Sequence, residues 1–168
     1  TVASADVNFA SFDVSGDGNI SASELHIIII LAGYEASYGN NPAPDTWRHH
    51  WSIPGGVVVN GDTLLNGNRG GGYSMLGELD PDSAMIQYGL ICHETGHDLS
   101  LPDLYDPSNR SEGIGEWGLM GSGDWCMTAV SADCPSHLDP WCKSQLGWLI
   151  PTLVTTDQLA VNIPQVET

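Results

Sequence analysis

The sequence contains very little positive charge. Its 168 residues include 4 Lys and Arg against 21 Asp and Glu, which gives a formal net charge of −17. A nucleic-acid-binding protein needs a basic patch to displace counterions from phosphates, and so few cations cannot form one. The same deficit disfavours binding to an anionic membrane surface. We therefore expect neither nucleic acid nor a membrane surface among the partners of this chain.

Long apolar runs are also absent. The longest, residues 27–32, is far shorter than the roughly 20 residues that a membrane-spanning helix needs, so no membrane insertion is expected. Hydrophobic residues nevertheless make up 41% of the chain, which is enough to bury a core. Length and composition together predict a single domain over residues 1–168.

The cysteines form no C-x-x-C pair, which argues against a zinc site built from thiolates. Cys126 and Cys134 bracket a short polar loop that suits a local disulfide, and any such bridge would imply an oxidising compartment. Cys92 falls in an apolar segment and is equally suited to be a small buried filler.

Local patterns predict a small number of strands. Residues 25–32 are apolar and largely β-branched, which predicts a strand buried on both faces. Residues 57–59 predict a second short strand that is followed by a turn at the Asn-Gly pair 60–61. The glycine-rich residues 66–72 predict a loop, and residues 158–166 predict a last strand.

Two helices are predicted. Asp80 and Pro81 favour the start of a helix that runs from about residue 84 to 99, because aspartate caps the first turn and proline fits the first helical position. Ser136 is expected to cap a second helix, which ends before Gly147. The segment between the two helices is predicted to be irregular.

The sharpest motif is His93-Glu94-Thr95-Gly96-His97, which falls inside the first predicted helix. Two histidines at i and i+4 lie on one helical face, so both imidazoles can bind one cation. Zinc lowers the pKa of a bound water towards about 7, and a neighbouring carboxylate can take the proton as the water attacks a carbonyl. We predict His93 and His97 as zinc ligands and Glu94 as the general base.

Zinc needs a third protein ligand, and the sequence offers two candidates. Metzincin peptidases use the pattern H-E-x-x-H-x-x-G-x-x-H, and Asp103 stands at its third-ligand position. Ser100 replaces the glycine of that pattern, which costs about 1 kcal/mol if the position needs a positive φ. The alternative ligand is Glu116, as in peptidases whose third ligand is a downstream glutamate. The register favours Asp103.

Met120 lies among glycines downstream of the histidine motif. Metzincins place a methionine in a tight turn beneath the metal, whereas elsewhere such a methionine is ordinary core packing. We predict Met120 as this turn methionine. Tyr105 and Tyr73 are weaker candidates for hydrogen bonding to the oxyanion. Asp98 and Asp106 flank the motif, either as residues that orient the histidines or as solvated acids.

A second motif spans residues 13–24 and nearly matches the twelve-residue calcium loop, with Gly18 at its invariant glycine position. The candidate calcium ligands are Asp13, Ser15, Asp17, the carbonyl of Asn19, Ser21 and Glu24. Because a predicted strand follows, we expect a structural calcium loop rather than a helix–loop–helix sensor. The alternative is a surface turn rich in aspartate and glycine.

Several segments together resemble the immune inhibitor A-like family of secreted bacterial metalloendopeptidases. They are residues 93–106 (HETGHDLSLPDLYD), 115–123 (GEWGLMGSG) and 136–151 (SHLDPWCKSQLGWLIP), supported by residues 13–24, 32–35 and 47–51. The resemblance implies an α+β, metzincin-like fold of two lobes, with a mixed sheet packed on the active-site helix. The upper lobe would cover about residues 1–99 and include the calcium loop. The irregular lower lobe, about residues 100–156, would carry a C-terminal helix, and residues 157–168 would begin a further domain.

The same resemblance implies a zinc-dependent, calcium-stabilised catalytic domain that is secreted as a precursor with a propeptide and further C-terminal domains. By position, the zinc ligands are His93, His97 and Asp103, the base is Glu94, and Met120 is the turn methionine. We therefore expect a secreted zinc metalloendopeptidase that acts on proteins or peptides. The alternatives are a non-catalytic binding domain stabilised by calcium and zinc, and a zinc hydrolase of small molecules.

Overall fold

A four-stranded mixed sheet and a separate hairpin organise the protein. The structure, a computed structural model, describes residues 7–67, 71–108 and 110–162. The strands are β1 (Ile28–Glu35), β2 (Asp45–Thr46), β3 (His49–Trp51), β4 (Val57–Val59), β5 (Asp62–Leu64) and β6 (Tyr73–Leu79). The sheet has the order β2-β1-β6-β3, and β4 pairs with β5 in the hairpin. Strand β1 is parallel to both of its neighbours, whereas β3 is antiparallel to β6 and forms an edge.

The predicted burial of the first strand on both faces is wrong. Strand β1 starts at Ile28 rather than at residue 25, and its side chains alternate between exposed and half-buried. Ile28 is 44% exposed and Ile30 is 54% exposed. β-Branched residues favour a strand whether or not its outer face is covered. The composition therefore predicted the strand correctly but could not predict its burial.

The predicted strand at residues 57–59 and the turn that follows it are confirmed. Asn60 (φ 56°) and Gly61 (φ 103°) both have positive φ, as a two-residue hairpin turn requires. The hairpin packs on the segment of the calcium-loop motif, because Ile20 donates its backbone N–H to the carbonyl of Thr63 at 2.7 Å. Side chains from these segments and from the chain next to them form the first core cluster, which contains Phe9, Ile20, Leu64 and Leu65.

The first helix, α1 (Tyr88–Asp98), is shorter than predicted. The carboxylate of Asp80 accepts hydrogen bonds from the backbone N–H groups of Asp82 and Ala84, at 3.0 and 2.9 Å. This local turn satisfies the backbone N–H groups of residues that were expected to begin the helix. Asp80 therefore caps a turn and not α1. Helix α1 packs against β6 and β3, which brings the histidine motif to the edge of the sheet.

Irregular backbone follows α1, as predicted, with short 3₁₀ turns at Gly115–Trp117 and Ser122–Trp125. The second helix, α2 (Pro140–Gln145), is capped by Asp139, whose carboxylate accepts from the N–H groups of Trp141 and Cys142. Ser136 was the expected cap. It instead donates its hydroxyl to the carbonyl of Glu116 at 2.5 Å. A second core cluster beneath α1 contains Leu101, Leu119, Met120 and Cys142.

The cysteines form no bridges, and two predicted segments, residues 66–72 and 158–166, extend beyond the described residues. All four cysteines are free thiols, so Cys126 and Cys134 are not bridged, while Cys92 packs as a filler against the second core cluster. Residues 158–162 contain no strand, and the rest of the predicted strand lies outside the described residues. Of the predicted loop at 66–72, residues 68–70 lie outside them too. Within the described ranges, no helix combines the length and apolar character needed to cross a membrane.

The mixed sheet and the two helices agree with the expected α+β class. The sheet edge at β3, the histidine helix α1 and the irregular chain after α1 meet around one cavity of about 1050 Å³. This cavity is the candidate catalytic cleft.

Candidate metal centre and catalytic cleft

His93 and His97 lie one turn apart on α1, and their ring centres are 4.8 Å from each other. The Nδ1 atom of His93 donates to the carbonyl of Leu119 at 3.0 Å, and that of His97 donates to the carbonyl of Leu101 at 2.9 Å. Because a carbonyl only accepts, both imidazoles carry their proton on Nδ1. Such bonds fix the ring orientation and leave Nε2 of each histidine as a potential metal ligand.

Asp103 faces both histidines. Its Oδ1 atom lies 3.2 Å from Nε2 of His93 and 3.2 Å from Nε2 of His97. Burial would raise the pKa of Asp103, but its contacts with the two imidazoles outweigh burial and hold that pKa below its ordinary value. The Nε2 atoms donate in these contacts only when the rings carry a second proton, in addition to the one on Nδ1. Burial opposes the charged form of His97 as well, yet the contact with Asp103 raises its pKa. The ionised carboxylate of Asp103 and the protonated ring of His97 therefore stabilise each other.

A divalent cation fits this donor set. The ligand atoms of His93, His97 and Asp103 all lie within 4.8 Å of one another, and no other group of this kind occurs in the described ranges. Two nitrogens and one carboxylate oxygen are ligands that zinc accepts. Glu116, the alternative third ligand, is exposed on the turn Gly115–Trp117 and does not line the cleft.

The conformation of Ser100 reverses the chain after α1 and so places Asp103 next to the two histidines. It has a φ of 72°, the left-handed conformation that favours glycine. Helix α1 ends in two hydrogen bonds, from Ser100 N–H to the carbonyl of His97 and from Leu101 N–H to the carbonyl of Gly96. This pair of bonds is the Schellman motif, which reverses the chain at a helix end. Ser100 therefore meets the condition under which replacing the glycine of the metzincin pattern carries a conformational cost.

Met120 lies directly below the histidine helix. It is fully buried, and a Cβ atom on Gly96 would lie only 2.3 Å from its sulfur. Its carbonyl accepts the N–H of Leu104 at 2.7 Å, which ties the methionine turn to the chain that carries Asp103. The residue thus supports the two sequence segments that supply the candidate metal ligands.

Glu94 is 3% exposed and lies on α1 between the two histidines in sequence. Burial raises the pKa of its carboxyl group, an effect that the positive charges of the histidines and Arg48 oppose. Its Oε2 atom is buried without a hydrogen-bond partner among the described residues. A carboxylate with an unused oxygen in a cleft is suited to accept a proton.

The sequence profile described as the immune inhibitor A peptidase M6 catalytic domain matches residues 3–149. The chain belongs to this family. An immune inhibitor A from Bacillus thuringiensis subsp. alesti is 30% identical over 144 residues, which cover 80% of this chain and 20% of that protein. The pre-pro-metalloprotease PrtV of Vibrio cholerae serotype O1 (strain M66-2) is 27% identical over 170 residues, 93% of this chain and 18% of its own length.

The chain thus spans about a fifth of the length of these relatives. No match was found among solved structures. Membership of the M6 family confirms the expectation that this chain is a metallopeptidase domain.

The cleft of this M6 domain contains a second set of residues that no sequence motif indicated. Arg48 places Nη2 2.5 Å from Oδ2 of Asp124, and its guanidinium lies over the ring of Trp125, 5.0 Å from the centroid. Glu35 is fully buried behind them and accepts the backbone N–H of Arg48 at 3.1 Å. The only signal was indirect: Arg48 is a rare cation within the segment 47–51.

Two flanking acids do not orient the histidines. Asp98 is buried, but its carboxylate bonds to His26 Nδ1 and to the N–H of Gly71, because the metal-facing histidines already use backbone carbonyls. Asp106 closes a turn by accepting the N–H of Ser108 at 2.8 Å. Asp98 thus has partners far away in the sequence, whereas Asp106 has local ones, and the sequence could not distinguish the two cases.

The two tyrosine candidates are placed differently. The ring of Tyr105 stacks near His93, with centroids 6.4 Å apart, and lines the cleft. Burial, together with the charge of Asp103, raises the pKa of Tyr105 to about 12, so the phenol stays protonated. Tyr73 instead packs edge-on against His49 and does not line the cleft.

The calcium-loop motif forms a closed turn. The carboxylate of Asp13 accepts backbone N–H groups from Gly16, Asp17 and Gly18. Glu24 reaches back across the loop to accept the N–H groups of Ser15 and Ser21, each at 2.9 Å. These backbone bonds lower the pKa of Glu24 to about 2. The carboxylates of the loop do not converge as tightly as the histidine centre does.

Proposed function

We propose that this M6 domain is the catalytic domain of a secreted zinc metalloendopeptidase. The observation that carries the proposal is the meeting of His93, His97 and Asp103 beside the buried carboxylate of Glu94, inside an open cleft. His93, His97 and Asp103 would hold the zinc. When bound, zinc activates water and polarises the scissile carbonyl.

The residues of the chain divide the remaining work. Glu94 accepts a proton from the attacking water on its carboxylate and then delivers it to the nitrogen of the leaving amine. Tyr105, which keeps its phenolic proton, can donate a hydrogen bond to the oxygen of the carbonyl under attack. Met120 supplies an apolar floor under α1, and Glu116 has no role at the metal.

We further propose that the domain has a metzincin-like division into two lobes within the single domain 1–168. The sheet and α1 would form the upper lobe, about residues 1–99, and the chain with Met120 and α2 would form the lower lobe, about residues 100–156. The position of the cleft between β3, α1 and the irregular chain supports this division. Residues 157–168 would lead to a further domain.

Calcium binding by residues 13–24 is part of the same proposal. The inferred ligands are Asp13, Ser15, Asp17, the carbonyl of Asn19, Ser21 and Glu24. Two observations support it: Glu24 already reaches across the loop, and Gly18 has the positive φ of 77° that suits its position in the motif. The role would be structural, because the loop joins the hairpin through Ile20 and Thr63.

Protein or peptide substrates follow from the family and from the open cleft. The much greater length of the relatives supports additional domains, and the name of the Vibrio protein as a pre-pro-metalloprotease supports a propeptide and secretion. Neither nucleic acid nor membrane insertion is proposed. A non-catalytic metal-binding domain is disfavoured, since a structural site has no use for a buried carboxylate such as Glu94.

Casein hydrolysis tests the proposal. We expect activity to disappear after dialysis against a zinc chelator in calcium-containing buffer and to return on addition of one equivalent of zinc. An ester substrate tested in parallel separates a peptidase from a zinc hydrolase of small molecules. Ester hydrolysis without any cleavage of casein or of a peptide library would contradict the proposed function.

A further inference from the structure

The cleft contains a buried cation that the proposed ligands and base do not explain. The side chain of Arg48 is 11% exposed, whereas Arg110 is exposed. A guanidinium that is removed from water needs compensating partners with good geometry. The contacts of Arg48 therefore indicate what it does.

Arg48 is held from three sides. Its backbone N–H binds the fully buried Glu35, and its Nη2 atom binds Asp124, which is 1% exposed. The ring of Trp125 covers the guanidinium at 5.0 Å. Glu35 thus fixes the backbone of Arg48, while Asp124 and Trp125 hold its guanidinium inside the cleft.

The buried guanidinium faces the candidate base. Its Nε atom lies 3.7 Å from Oε1 of Glu94, while Oε2 of Glu94 has no hydrogen-bond partner in the described part of the chain. We propose that Arg48 is a positioning residue that holds Glu94 through Oε1 and thereby leaves Oε2 available to the reacting water. This inference rests on the proposed role of Glu94 as general base.

Two substitutions of Arg48 test this role. Arg48→Lys keeps the positive charge and the aliphatic stem, but a single ammonium cannot replace the planar fork that joins Asp124 to Glu94. Arg48→Gly leaves a space that guanidinium from solution can enter. For both variants we expect one zinc per chain, a KM within about threefold of wild type and a kcat lowered about 100-fold. Millimolar guanidinium should restore part of kcat in Arg48→Gly alone.

Arg110→Gly is the matched control, because it removes an exposed guanidinium whose Nε donates to Ser108 and which does not line the cleft. Its kcat should equal that of wild type and should not respond to guanidinium. Adding Arg48→Lys to Glu94→Gln should lower the residual kcat by less than about threefold, since coupled residues are not additive.

Three results would overturn the inference. They are an unchanged kcat in zinc-loaded Arg48→Lys, a raised KM with unchanged kcat, and a full additional loss in the Glu94→Gln background. The first two, combined with an inactive Glu94→Gln, would refute the positioning role and leave the proposed function standing. Wild-type kcat in Glu94→Gln would refute both.

Discussion

The sulfur of Met120 occupies the space that a side chain on Gly96 would need, with only 2.3 Å between that sulfur and an ideal Cβ on the glycine. This contact joins the helix of the candidate zinc ligands to the methionine turn. It makes the absence of a side chain at residue 96 a packing requirement rather than a backbone one, since Gly96 lies within α1.

Gly96→Ala should destabilise the domain by about 1–3 kcal/mol, because the buried methionine must shift to admit the new methyl group. Thermal unfolding of zinc-loaded protein measures the effect. In a Met120→Ala background the same substitution should instead stabilise by up to about 1 kcal/mol, because alanine is the better helix former. The same destabilisation in both backgrounds would show that the contact is not responsible.

Ser100→Gly should stabilise the domain by about 0.5–1 kcal/mol. Ser100 has a φ of 72°, where an L side chain is strained and glycine is not. Ser100→Ala is the control, because it removes the hydroxyl but keeps the Cβ that causes the strain. Urea unfolding of the three proteins should therefore rank Ser100→Gly first. If Ser100→Gly is no more stable than Ser100→Ala, backbone strain is not the controlling factor.

Asp103→Ala should lose zinc, whereas Glu116→Ala should retain it. Asp103 lies 3.2 Å from both ligand nitrogens, and Glu116 is exposed outside the cleft. The measurement is zinc per chain after dialysis against a weak chelator. Retained zinc in Asp103→Ala together with lost zinc in Glu116→Ala would make the downstream glutamate the third ligand.

Calcium should raise the melting temperature of the domain. Ligand linkage gives about 2.7 kcal/mol when free calcium is 100 times Kd, which corresponds to roughly 5–10 °C for a domain of this size. The titration uses the zinc-loaded Glu94→Gln variant, so that self-digestion cannot be mistaken for unfolding.

The matched variants for that titration change acids inside and outside the loop. Asp17→Ala combined with Glu24→Ala should abolish the calcium response, while the exposed Asp82→Ala should keep it. A melting temperature indifferent to calcium, or an equal response in the loop variant, would refute the calcium site.

Features that depend on helical or turn spacing were predictable from the sequence. The i, i+4 spacing brings His93 and His97 together, and the reversal at Ser100 returns the chain so that Asp103 meets them. Features that depend on tertiary context were not. The exposure of one face of β1 depends on whether another element packs on it. The start of α1 was missed for a local reason, because the turn closed by Asp80 includes the residues that were expected to begin the helix.

Arg48 shows the same limit within the cleft. Its partners Glu35 and Asp124 lie 13 and 76 positions away in the sequence, and no local pattern joins them. Their convergence is visible only after the sheet edge, α1 and the second 3₁₀ turn have packed together.

The central claim is that Glu94 transfers the proton while His93, His97 and Asp103 hold zinc. The most direct test measures kcat and zinc content of Glu94→Gln on one peptide substrate, beside the wild type. We predict one zinc per chain in both proteins and a kcat lowered by about 10²–10⁴-fold in the variant, because the substitution removes the proton acceptor and leaves the ligands in place. Wild-type kcat in a zinc-loaded Glu94→Gln variant, or active enzyme without zinc, would contradict the account.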